Sequence, residues 1–148
     1  MTSNSPLSGS PQYLIQLFQK VQNTAAWIIL RAPRVEHTSP ILRFLHLLSV
    51  QQRIKHKVCC IFYATLTGTC PKYMSGLVNV YIPSKCLRSL SDSRTLTIPY
   101  VKTKICGQLS FAYQEPATWN DLPFHLRHTD SLSTFKSTLK THLFHYLT

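Results

Sequence analysis

Polymerase chemistry needs carboxylates close enough to hold two divalent metals, and nucleases and glycosidases of the paired-carboxylate kind need two such groups side by side. Five acids, Glu36, Asp92, Glu115, Asp121 and Asp130, are all this chain supplies. No two are adjacent, and no Tyr-x-Asp-Asp turn of the kind reverse transcriptases use occurs, which rules against a polymerase and against a nuclease or glycosidase with paired carboxylates. His125-x-x-His128 and His142-x-x-His145 each put two imidazoles within reach of one ion, a spacing found in zinc fingers. No cysteine stands in that region to complete a finger, so these read as surface histidines and no metal site is expected. Cys59, Cys60, Cys70, Cys86 and Cys106 form an odd set without a CxxC pair, as in a reduced cytoplasmic or nuclear protein. Cys59-Cys60 on a helix read as small core residues, and no Cys–His pair stands out as a nucleophile and its base. The four glycines, Gly9, Gly68, Gly76 and Gly107, open no phosphate-binding loop. No catalytic residue, cofactor or small-molecule substrate is expected.

What remains is positive charge. Sixteen Lys and Arg against five acids give +11 and a pI near 9.7, which attracts phosphate backbones. Candidate phosphate contacts are Arg53, Lys55 and Lys57 on one helix, Arg88 and Arg94 on a loop, Lys102 and Lys104 beside a hairpin, and Lys136 and Lys140 on the last helix. Neutralising phosphates with such side chains releases counterions, so binding would be sequence-independent and would weaken with salt. Tyr81, Tyr100 and Tyr113 are suited to stacking bases beside them.

The elements that must carry these residues are mainly helical, in one small domain. Residues 1–10 read as a disordered lead without the order of a secretion signal. Residues 11–78 form a helical part. Ser10-Pro11 starts a helix with Leu14, Phe18, Val21, Ala25 and Ile28 on its apolar stripe, and Pro33 ends it. Ser39-Pro40 starts a short helix that buries Ile41, Leu42, Leu45 and Leu48. Ser49 and Gln52 fit a capping box opening a helix with Val50, Ile54, Val58, Ile61, Phe62 and Leu66 inward and Gly68 as its stop. Pro71 starts a further short helix through Leu77. Residues 79–94 read as a loop and 95–130 as a hairpin and turn region, with Thr95–Ile98 pairing Leu109–Tyr113. Residues 131–148 form an amphipathic helix capped by Ser131, with Leu132, Phe135, Leu139, Leu143 and Leu147 on one face. No apolar run approaches the ~20 residues of a membrane span.

Several short stretches, taken in order, resemble the carboxyl-terminal region of LINE-type (non-LTR) retrotransposon polyproteins, downstream of the reverse transcriptase core. They run from Leu17-Phe18-Gln19-Lys20-Val21-Gln22-Asn23-Thr24-Ala25-Ala26 through His37-Thr38-Ser39-Pro40, Pro71-Lys72-Tyr73-Met74, Tyr81-Ile82-Pro83-Ser84 and Leu87-Arg88-Ser89. Trp119-Asn120-Asp121-Leu122-Pro123 and Ser133-Thr134-Phe135-Lys136 close the series. The chain departs from the family pattern at Trp27, at Leu47-Leu48-Ser49 and at Leu109, as a decayed copy would. The resemblance implies a non-catalytic accessory segment that grips RNA or DNA and packs on the upstream polymerase core. Two other functions fit the residues: a translated remnant with no autonomous function, exposing Trp27, Phe62, Trp119 and Phe124, or an adaptor docking its 132–147 helix into a partner's groove.

Overall fold

The computed structural model describes residues 10–31, 37–71, 79–81, 94–100 and 111–145. Among them are six helices: α1 (Gln12–Leu30), α2 (Thr38–Phe44), α3 (Val50–Leu66), α4 (Phe111–Asn120), α5 (Phe124–Arg127) and α6 (Leu132–His145). The chain is mainly helical, as its periodicity predicts. The 72–77 helix, the Gly107 turn, most of the 79–94 loop and Leu147 lie outside the described residues.

Helix α3 is the centre of the fold, and its ends are set by local chemistry. Ser49 Oγ accepts from Gln52 N at 3.4 Å while Gln52 Oε1 accepts from Ser49 N at 3.3 Å, the reciprocal box that satisfies two first-turn amides. At the other end Gly68 takes φ 71°, a backbone that a side chain would strain. Gly68 N donates to Thr65 O and Thr69 N to Ala64 O, so the last carbonyls are also satisfied in a Schellman arrangement.

Val50, Ile54, Val58, Cys59, Cys60, Phe62 and Tyr63 of α3 are buried against Trp119, Leu122 and Leu126 and against Phe135, Leu139 and Leu143 of α6. Helix α6 starts at Ser131, whose Oγ accepts from Thr134 N at 3.2 Å. It passes α3 in the opposite sense: Gln52 Nε2 donates to Leu143 O at one end, and Tyr63 stacks on Phe135 at 4.5 Å at the other. Phe135, Leu139 and Leu143 of the expected apolar face of α6 are therefore packed in the chain's own core. Phe62 and Trp119 are likewise buried, leaving Phe124 as the exposed member of the aromatic set expected on the surface.

The expected hairpin is replaced by a smaller device. Leu96 pairs with Val80 in one isolated antiparallel bridge, with Tyr81 N donating to Thr95 O and Thr97 N to Asn79 O, each at 2.8 Å. Phe111 to Tyr113, the expected second strand, belong to α4. A side chain then takes the strand partner's place: Asn120 Nδ2 donates to Leu96 O and its Oδ1 accepts from Leu96 N, both at 2.9 Å. Trp119 Nε1 donates to Arg94 O at 2.7 Å, so the Trp119-Asn120 pair fastens residues 94–97 to the core.

Helix α1 holds the largest departure from expectation. Ser10 does not cap it; Pro11 is the N-cap residue and no side chain accepts a first-turn amide. The helix stops at Leu30, with Arg31 in the left-handed region, before Pro33 is reached. Its buried residue is Ala26, packed with Ile41 and Leu42 of α2 in a second small cluster. Phe18, Val21, Ala25 and Ile28 of the expected buried stripe are exposed, and the inward side carries Gln19 and Gln22. Gln19 Oε1 accepts from Val50 N at 2.9 Å, an otherwise orphaned amide of the first turn of α3, and Gln22 Nε2 donates to Leu48 O at 2.8 Å.

Candidate nucleic-acid interface

The six described cations among those proposed from sequence separate into three groups. Arg53, Lys57, Lys136 and Lys140 are exposed on the two helices that cross at the centre, α3 and α6. His56 lies in the seam between these helices, its Nε2 3.2 Å from Lys136 O, with the ring N–H donating. Burial holds the imidazole below its ordinary pKa, the bond to the Lys136 carbonyl opposes this, and the charges of Lys140, Lys136 and Lys57 depress it further. Three lysines from two helices thus act on one imidazole, and Arg53 stands one turn from Lys57 on α3. Lys140 Nζ lies 5.7 Å from the centre of the Phe144 ring, which steadies the ammonium without neutralising it.

Lys55 faces elsewhere. It lines a cavity of about 520 Å³ together with Gln52, Cys59, Asp121, His142 and Leu143. His142 is held below its ordinary pKa by burial and then by His125 and His145. The structure therefore sets His142 near His125 across α5 and α6, whereas His128, the other half of the first His-x-x-His, stacks on Phe124 at 4.1 Å. Among the described residues no group of three or more His, Cys, Asp or Glu is arranged to hold a metal ion.

Arg94 has a structural task. Its Nη1 donates to Arg127 O at 2.6 Å and to Thr129 O at 3.3 Å, and the guanidinium stands 5.8 Å from the centre of the Tyr63 ring. Arg127 is similarly engaged, with Leu122 O and Thr95 Oγ1 as acceptors. Arg88, Lys102 and Lys104 lie outside the described residues, as does the side chain of Tyr113; Tyr81 and Tyr100 are exposed. A Cys–His pair that the sequence did not single out is also present, with Cys60 Sγ 3.9 Å from His56 Nδ1. Burial pushes the Cys60 thiol up to about 11 despite Lys136 and Lys57, so the thiol stays protonated and the neighbouring imidazole neutral. That state is the reverse of the thiolate–imidazolium a nucleophile needs. The i to i+4 spacing of His56 and Cys60 on a helix was a usable signal for the pair.

The arrangement can hold an anion by charge and hydrogen bonding from lysine ammoniums. No helix among the described residues is long and apolar enough to cross a membrane. No protein-family model matches the chain, and neither a curated protein nor a solved structure is significantly similar to it.

Proposed function

We propose that this chain is a non-catalytic accessory segment that binds RNA or DNA through its phosphates, of the kind found downstream of the polymerase core in LINE-type reverse transcriptase polyproteins. The observation that carries this reading is the gathering of Lys57, Lys136 and Lys140 around His56 in a chain of charge +11. Cations fixed on two packed helices meet a backbone without the ordering cost that a flexible tail incurs. The upstream polymerase core is the protein partner this reading implies.

Titration of the purified chain with labelled single-stranded RNA and duplex DNA across a salt series tests it. Affinity should fall linearly with salt on logarithmic axes. In the triple variant K57Q/K136Q/K140Q the slope on duplex DNA should be smaller by about 0.9 for each phosphate contact removed. No binding at low salt by a sample that melts cooperatively would sink the proposal, and would favour a remnant without autonomous function.

A further inference from the structure

Helix α1 turns Ile15, Ala26, Trp27 and Leu30 inward together with Gln19 and Gln22, and leaves a second apolar face outside. Leu17, Phe18, Val21, Ile28 and Ile29 are between 45% and 69% exposed. Leu14, Phe18, Val21, Ala25 and Ile28 follow one another at alternating steps of four and three, the repeat of a coiled-coil seam, with Leu17 and Ile29 flanking it. The helix also carries one charge, Lys20, in a chain of +11. A second copy placed on this face therefore meets little like charge. An acidic partner, conversely, finds almost nothing here to attract it.

We propose that this face is covered by a second copy of the same chain, the two α1 helices lying antiparallel about a two-fold axis near Val21. That register sets Leu14 against the partner's Ile28, Phe18 against the partner's Ala25, and Val21 against the partner's Val21. The largest seam residue meets the smallest, so the layers fill evenly. A parallel pair stacks Phe18 on its copy and Ala25 on its copy, one layer overfilled and another hollow. At about 25 cal/mol per Å², the 1.5–3 kcal/mol of burying one apolar side chain corresponds to roughly 60–120 Å², so the five exposed side chains offer on the order of 500 Å² per copy. The total of about 1,000 Å² reaches the lower bound for a specific interface. The interface is isologous, so it closes at two copies.

Sedimentation equilibrium of the full chain over a concentration series tests this, with circular dichroism confirming helix content. The wild type should fit a monomer–dimer equilibrium that ends at two. V21D places two carboxylates against each other at the axis and should weaken the dimer at least tenfold with helix content unchanged. A25F alone should weaken it through overpacking, whereas F18A/A25F restores large against small and should recover it. A monomer at every concentration overturns the proposal; that result leaves the face to another protein or to another part of the chain. Growth beyond two copies, or equal behaviour of A25F and F18A/A25F, overturns it as well.

Discussion

The Asn120 carboxamide takes both backbone hydrogen bonds of Leu96, donating to its carbonyl and accepting from its amide at 2.9 Å each. It does for one residue what a neighbouring strand does for a ladder, and it does so at the last residue of α4. Leu96 itself is buried in the main core, so its peptide groups have little recourse to water. N120A should therefore destabilise the fold by about 2–4 kcal/mol, from two lost bonds and the groups left behind. N120D keeps the acceptor and loses the donor, turning a carboxylate oxygen toward Leu96 O. Its stability should recover in part on acidification, as the protonated carboxyl regains a donor. Urea midpoints for both variants at pH 7 and pH 4, each relative to wild type at the same pH, check this.

Much of the helical frame was legible because its ends are marked by short-range chemistry. Ser49 with Gln52, Gly68 and Ser131 each do locally what their residue types predict. The direction of α1 was not legible. Periodicity reports that a helix has an apolar side, and burial of that side is an inference about what surrounds it. Here Gln19 and Gln22 supply a missing acceptor and donor at the start of α3, a long-range bond that no local pattern announces. The hairpin failed for a related reason: alternation in Thr95–Ile98 was real, but the partner of Leu96 is a side chain and the distant Val80. Among the candidate cations, charge marked Lys57, Lys136 and Lys140 and marked Arg94 equally. Whether a cation faces water or a carbonyl is decided by the tertiary packing.

Arg94 and the lysines around His56 should consequently separate by experiment. R94Q removes the donor to Arg127 O and Thr129 O and the cation over Tyr63, so its main effect is on stability. The loss should be about 1–3 kcal/mol, as for hydrogen bonds made by a charged group. Its salt dependence for nucleic acid should match wild type at temperatures where it is folded. K136Q/K140Q should show the opposite pattern, with an unchanged melt and a smaller slope. Equal slopes for R94Q and K136Q/K140Q would mean that these two surface lysines are not the phosphate contacts.

The pH dependence follows from His56. Burial, and then the neighbouring lysines against the opposing carbonyl bond, hold its folded pKa below 6.5. Between the folded value and 6.5 the unfolded chain binds a proton that the folded chain does not, so stability rises with pH across that window. It is complete above 6.5 and lost as pH falls through the window. H56Q keeps a donor for Lys136 O and should flatten this dependence; His142, shifted in the same direction, supplies the part that remains. A bound phosphate favours the charged ring, so nucleic acid should raise the His56 pKa, and by reciprocity affinity should increase toward pH 5.5. Histidine proton shifts followed by NMR with and without a short oligonucleotide measure both. An unmoved His56 titration on saturation would place the ligand elsewhere.

Thiol reactivity offers a check on the same seam from its buried side. Cys60 is buried and its thiol is pushed up to about 11, so at pH 8 on the order of one molecule in a thousand carries the reactive thiolate, before access is considered. Cys59 is buried too, whereas Cys70, just past the Gly68 stop, is only half-buried. Brief alkylation of the native chain at pH 8, read by peptide mass spectrometry, should therefore label Cys70 well ahead of Cys59 and Cys60. All three should react alike in denaturant. Replacing Lys57 and Lys136 with Gln removes the two charges that favour the thiolate, so the Cys60 pKa should rise further and its labelling slow again. Rapid native labelling of Cys60 would mean that α3 and α6 part readily there. A seam that opens so easily would not hold Lys57, Lys136 and Lys140 in one place for a phosphate backbone.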